Sequence, residues 1–248
     1  MKILAVYNLK GGVGKTASAV NLGYLCAKAG YRTLIWDLDP QGAASFYFRI
    51  KPKIKGGSER LLGGKKELDD YIKGTDFDNL DLLPADFSYR YMDIGLNQGK
   101  KPTEKLQHLL EPLSQEYDVL FLDCPPSISL VSENIFHAAD ALLVPVIPTT
   151  LSLRTLKQLQ QFCKHEKLKK LRLMPFFSMV DYRKTLHKNI IKRLPKDYKG
   201  LLQIEIPYAS VIEQMGIQRA PVASYAPNSR AAEAYNKLWQ ALRLRTQL

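Results

Sequence analysis

Seven short stretches of the chain are almost continuously apolar: residues 3–7, 33–36, 80–83, 119–122, 141–147, 171–180 and 201–206. They do not alternate polar with apolar side chains, so each reads as a strand covered on both faces, as in a parallel sheet buried between helices. Between them the apolar period lengthens to that of a helix. Residues 17–29 are rich in Ala and Leu and stop at Gly30, which suits the left-handed turn that closes helices. Leu153, Leu156 and Leu159 recur along 152–163, and Ala232, Tyr235, Leu238, Trp239 and Leu242 form one apolar stripe along 229–245. Strand–helix alternation over the whole length predicts a three-layer, doubly wound α/β fold with a mostly parallel sheet. No boundary divides residues 1–248, so a single domain is expected, with the Gly- and Lys-rich stretch 49–66 as a basic exposed loop.

The strongest chemical signal follows the first strand. Lys10-Gly11-Gly12-Val13-Gly14-Lys15-Thr16, with Ala17 opening a helix, places a glycine loop between strand and helix, the context of a phosphate-binding loop. Glycines let successive backbone N–H groups turn inward around phosphate oxygens, and the helix N-terminus adds partial positive charge. Lys15 is positioned to reach β- and γ-phosphates, and the Thr16 hydroxyl to ligate Mg²⁺. Two acids close later strands: Asp37, within Asp37-Leu38-Asp39-Pro40-Gln41-Gly42, and Asp123, within Asp123-Cys124-Pro125-Pro126-Ser127.

The loop departs from the common phosphate-loop pattern, because Leu9 stands where its first glycine belongs and Lys10 precedes the glycine pair. With this lysine, the D-x-D-P-Q-G and D-x-P-P-S segments and the closing Ser229-Arg230-Ala231-Ala232-Glu233-Ala234-Tyr235, the chain resembles the deviant-Walker ATPases of the ParA/MinD group, within the larger set that includes nitrogenase iron protein. The resemblance covers nearly the whole chain. It implies that ATP and Mg²⁺ are the cofactors and that Lys10 reaches across a dimer to the partner's nucleotide. It also implies that Asp39 orients or deprotonates the attacking water, and that Asp37 and Asp123 serve the metal together with Thr16. Met179 and Pro207 match the segments that line the base.

Composition changes the picture at one point. The net charge is +12, but residues 1–150 carry 17 basic and 18 acidic side chains (−1), whereas 151–248 carry 19 basic and 6 acidic (+13). A large cationic excess on one part of a chain favours an anionic partner. Under the resemblance that partner is nonspecific DNA, bound by an ATP-dependent homodimer through residues such as Arg154, Lys157, Lys188, Lys192 and Arg193. A ParB-like or adaptor protein would stimulate hydrolysis, and the setting would be cytoplasmic and nucleoid-associated. The pattern lacks the arginines that many relatives carry just after the Ile206-Pro207 pair, and no helix-turn-helix extension precedes the loop, so operator-specific binding is not expected. Two alternatives share the scaffold. One is a MinD-like ATPase that uses the last helix on a membrane, and membrane binding is not the reading favoured. The other is a metabolic or cofactor-assembly enzyme. Cys26, Cys124 and Cys163 share no close spacing and the four histidines form no metal or triad pattern, which argues against a disulfide framework or a zinc site.

Overall fold

In a computed structural model that describes residues 1–63, 68–98 and 101–248, the strands form one sheet. They are β1 (Lys2–Val6), β2 (Thr33–Asp37), β3 (Lys73–Gly74), β4 (Leu80–Leu83), β5 (Val119–Asp123), β6 (Ala141–Val146), β7 (Arg172–Val180) and β8 (Leu202–Pro207), in the order β3-β4-β2-β5-β1-β6-β7-β8. Every pairing is parallel except that of the two-residue β3 with β4. The helices are α1 (Lys15–Lys28), α2 (Ala43–Tyr47), α3 (Gly57–Leu62), α4 (Met92–Leu96), α5 (Lys105–Leu110), α6 (Leu130–Ala138), α7 (Thr150–His165) and α8 (Thr185–Asp197). Three short turns of helix follow, α9 (Ser210–Glu213), α10 (Met215–Gln218) and α11 (Val222–Tyr225), and then the long α12 (Arg230–Thr246).

The three layers come directly from the strand period of two. Leu4 and Val6 of β1 join one core with α1 and α12, while Ala5 and Tyr7 join a second core with α6 and α7. The central strand β1 lies between β5 and β6, where the order of strands reverses. In such sheets ligands bind beyond the carboxyl ends of the strands at that switch point, so the loops after β1, β2 and β5 are the place to look. The α1 helix seats hard on the sheet. A Cβ added to Gly23 would lie 2.5 Å from Ile35 Cδ1, so only glycine allows this approach.

The α/β, three-layer expectation agrees with the structure. The apolar stripe Ala232, Tyr235, Leu238, Trp239 and Leu242 of α12 is buried against the α1 side of the core. Among the described residues no helix is long and apolar enough to cross a membrane. The basic stretch 49–66 is not simply an exposed loop. It contains α3, and Ile54, Ser58 and Leu61 are buried, although Lys51, Lys53 and Lys55 stay exposed. Lys65 and Lys66 lie outside the described residues. The α6 and α8 helices are absent from the periodicity reading. α8 buries only His187, Ile190 and Leu194 on a largely polar helix that carries Pro195 near its end.

Gly23→Val tests the close seating of α1. Overpacking of this kind costs about 1–3 kcal/mol, and each kcal/mol lowers Tm by roughly 2–4 °C in a chain of this size. Adding Ile35→Ala should recover part of the loss in a thermal melt, and simple additivity of the two losses would show that Gly23 and Ile35 do not share the space.

Candidate functional site

The chain leaves β1 through Asn8, which is 2% exposed. Its amide donates to Pro145 O at 2.8 Å, and its carbonyl oxygen accepts the Lys10 N–H at 2.9 Å. This pins the start of the glycine loop to β6. Gly12 (φ 68) and Gly14 (φ 89) then adopt left-handed conformations that strain any other residue. Gly14 is the N-cap of α1; it offers no side-chain cap, and no acid occupies the first turn. The orphan N–H groups there are left for an external anion. Ser178, at the end of β7, donates its hydroxyl to Val13 O at 2.8 Å and ties the far side of the loop.

Lys15 is only 7% exposed, and its ammonium donates to Lys10 O at 3.1 Å, folded back across the loop. Burial pulls its pKa below the usual lysine value, and the negative charge of Asp123 opposes that. Lys10 is half-buried, and its ammonium makes no ion pair among the described residues.

Asp37 and Asp123 are the last residues of β2 and β5, and parallel register sets them side by side. Both are fully buried. One oxygen of Asp37 accepts the N–H and hydroxyl of Ser45 at 2.8 and 2.7 Å. Among the described residues the other oxygen of Asp37 and both oxygens of Asp123 make no hydrogen bond of good geometry, although the Thr16 hydroxyl lies close enough to Asp123, and the Asp39 N–H to Asp37, to favour the charged forms. Burial raises the Asp37 pKa to about 6, with the Ser45 hydrogen bonds opposing. Burial, and next the charge of Asp37, drive Asp123 well above the carboxylate range, while Thr16 and Lys15 oppose. Two desolvated carboxylates with three oxygens short of a well-formed hydrogen bond, beside a hydroxyl and an ammonium, are costly alone and suited to a divalent cation. Among the described residues no three His, Cys, Asp or Glu side chains gather as a metal cluster. A cation here would therefore draw on Thr16 and ligand oxygens besides the two acids, the pattern Mg²⁺ takes with phosphates.

Asp39 stands above this pair in the turn after β2. Its carboxylate accepts the Gln41 N–H at 3.0 Å, its carbonyl accepts the Gly42 N–H at 2.9 Å, and Gly42 (φ 67) caps α2. Cys124 is buried with its thiol pushed up by desolvation, so it is no nucleophile.

A cleft of ≈ 220 Å³ opens beside the loop. Gly12, Gly14 and Ala17 form one wall, and Met179 and Pro207 the other. Met179 holds φ 53, an uncommon conformation for a long side chain. Sequence reasoning missed Tyr47, Tyr208 and Tyr235, which also line the cleft, as well as Asn8, Ser45 and Ser178. Exposed Gly11 and buried Val13 complete the loop. The five basic candidates line no part of this cleft. Arg154 and Lys157 are exposed on α7, and Lys188, Lys192 and Arg193 on α8; the two helices meet where Leu153 packs against the cluster holding Ile190 and Leu194. Arg193 is partly neutralised by Asp197 at 3.2 Å.

The buried acids yield a prediction of unusual sign. Asp123→Asn should raise the Tm of the protein freed of nucleotide and divalent cations at pH 8 by several degrees, because a desolvated charge disappears. A lower Tm would show that the charge is compensated. For Asp37 the folded pKa lies above the unfolded value. Its stabilising contribution is thus fully present below about pH 4 and lost as the pH rises through about 6. The difference in Tm between wild type and Asp37→Asn across that window measures it.

A family model described as an AAA domain matches residues 1–173. The chain is 32% identical over 240 residues to the sporulation initiation inhibitor protein Soj of Bacillus subtilis, covering 94% of this chain and 95% of that protein. It is 29% identical over 250 residues to the chromosome partitioning protein ParA of Myxococcus xanthus, covering 97% and 87%. Among solved structures, cobyrinic acid a,c-diamide synthase from Mycobacterium smegmatis, with bound ATP analog and magnesium, superposes with TM-score 0.81 at 26% identity over 100% of this chain and 97% of that one. McdA from Cyanothece shares the fold, with TM-score 0.84 at 22% identity over 98% and 99%. The chain belongs to the ParA/Soj family of partitioning ATPases.

Proposed function

We propose that this protein is a Mg²⁺-dependent ATPase whose ATP-bound form is a sandwich dimer that binds DNA nonspecifically, positions or segregates DNA or another cargo, and is reset when a ParB-like or adaptor protein stimulates hydrolysis. The observation that carries the reading is the Asp37–Asp123 pair, with three oxygens short of a well-formed hydrogen bond buried next to Thr16 and Lys15. The diamide synthase, a relative at 26% identity, has an ATP analog and magnesium bound. In this reading the glycine loop from Gly11 to Thr16 cradles the phosphates, and Met179 and Pro207 flank the base. Thr16, Asp37 and Asp123 would hold Mg²⁺, which would neutralise charge on the phosphate oxygens when bound. Lys15 bridges the same oxygens, and Asp39 holds and deprotonates the attacking water. Lys10, whose ammonium makes no ion pair among the described residues, is available to a second copy, where a cation stabilises the transferring phosphoryl.

A second copy would meet an apolar rim. Ile128, Leu151, Tyr182 and Tyr208, each at least half exposed, follow the carboxyl ends of β5, β6, β7 and β8, on the same edge of the sheet as the loop. The whole chain acts as one ATPase domain, in a cytoplasmic, nucleoid-associated setting. On the far helices, Arg154 and Lys157 of α7 with Lys188 and Lys192 of α8 present cations to the DNA backbone, and a dimer presents them twice. The membrane alternative loses its physical basis, because the apolar stripe of α12 is buried in the core. The likeness to the diamide synthase favours a second reading, an amide-forming enzyme on the same scaffold.

Lys15→Ala should abolish ATP binding. Lys10→Ala should cut turnover at least tenfold and remove ATP-dependent dimerisation, and wild-type behaviour of Lys10→Ala would refute the role in trans. Asp39→Ala should accumulate an ATP-bound dimer in size-exclusion chromatography. A gel-shift titration over a salt series should show ATP-dependent binding with a log–log slope that falls by about 0.9 for each phosphate contact removed by Lys188→Ala or Lys192→Ala. No binding at low salt would favour the synthase reading instead.

A further inference from the structure

A second cavity lies away from the ATP cleft. A groove of ≈ 670 Å³ runs between α3 and α4, floored by Gly56, Gly57 and Gly95 and walled by Leu62, Tyr91 and Ile94. Ile94 is 65% exposed and Tyr91 52%, with Phe87 at 61% beside them. Three such side chains in one short segment make an apolar patch that solvent alone does not explain. Its rim is cationic. The Arg90 guanidinium lies 3.9 Å from the centre of the Phe87 ring and 4.5 Å from that of Tyr91. Lys105 lines the groove, and the Arg60 side chain lies over Gly56. The acids nearby are already occupied: Asp86 accepts the N–H groups of Ile54 and Ser88, Asp93 that of Val131, and Glu104 pairs with Lys101. Among the described residues, Glu59 is the one acid that lines the groove.

Hydrogen bonds link both walls to elements that follow β2 and β5. On the α3 side, Ser58 donates its N–H to Ser88 Oγ at 2.7 Å and its hydroxyl to Ser88 O at 3.0 Å. Three residues before Ser88, the Ala85 N–H donates to Ser45 Oγ at 3.0 Å, and Ser45 Oγ donates to Asp37. On the α4 side, Asp93 accepts the Val131 N–H at 2.8 Å in the first turn of α6, just past Pro125-Pro126-Ser127. A ligand that spreads or closes the groove therefore acts on the segments following β2 and β5 together.

We infer that the groove between α3 and α4 docks an acidic, apolar-faced helical segment of a partner protein, and that docking alters ATP turnover through Ser45–Asp37 and through the start of α6. Apolar anchors fill the slot beside Tyr91 and Ile94, and carboxylates meet Arg60, Arg90 and Lys105, the helix-in-groove mode of recognition. This rests on the partner-stimulated reading above.

The probe is a fluorescein-labelled 15-residue peptide with Leu at helical spacing and Glu elsewhere, tested against a Lys-for-Glu version, with the full chain, ATP and Mg²⁺. Fluorescence anisotropy should show the acidic peptide binding at least tenfold more tightly than the basic one. Ile94→Asp and Lys105→Glu should each weaken it at least tenfold, while Tm and peptide-free turnover stay at wild-type values. Lys105→Glu should narrow the preference for the acidic over the basic peptide. The acidic peptide should change wild-type turnover at least twofold and leave Ile94→Asp turnover unchanged. Equal binding of the two peptides, indifference to both substitutions, or no effect on turnover overturns the inference. So does displacement of the peptide by a 15-nucleotide single strand, which assigns the patch to nucleic acid. Normal peptide-free turnover with any of these results leaves the ATPase reading standing, whereas absent turnover in wild type refutes that reading itself.

Discussion

The architecture around the glycine loop is built to keep two carboxylates dry. Asp37 and Asp123 end adjacent parallel strands in register, surrounded by the most deeply buried part of the sheet. Water, the usual partner of an acid, is replaced for one oxygen by Ser45, and the other three find no well-formed hydrogen bond among the described residues. Such a pair is affordable only if a charge from outside completes it. The neighbouring features serve the same end. Lys15 lies folded on its own loop, the first turn of α1 carries no acid, and Asn8 and Ser178 hold the loop from opposite sides. The protein without ligand is thus held in a shape whose electrostatics are unfinished.

Much of this was legible in the chain alone, and the reason is locality. The loop from Lys10 to Thr16, the acids at the ends of β2 and β5 and the stripe of α12 are signals within one element each. The parallel sheet followed from unbroken apolar runs. The residues that were not legible act over long separations. Ser178 reaches Val13 across 165 positions, and Asn8 reaches Pro145 across 137. A lone serine or asparagine carries no local mark of such a partner. α8 escaped notice because three buried positions suffice to seat a helix whose other faces are largely polar. The stretch at 49–63 looked like a loop because its lysines and glycines dominate the composition, yet Ile54 and Leu61 are enough to anchor it.

The charge excess also separates in space. Cations near the loop are few, and Lys15 is consumed by burial. The exposed cations of α7 and α8 belong to helices that contribute little to the cleft. A third cationic zone, around the groove between α3 and α4, comes from the part of the chain whose net charge is near zero, so whole-segment arithmetic concealed it.

The burial of α12 has a further consequence. Its stripe packs against α1, the helix that opens at the glycine loop, and Trp239 and Leu242 sit in the same core as Val20 and Leu22. The C-terminal helix is therefore the back wall of the phosphate loop. Any event that peels it away, such as insertion into lipid, proteolysis or a truncating mutation, removes the support of α1 at the same stroke. In this protein, loss of the tail is also loss of the scaffold that holds the glycine loop.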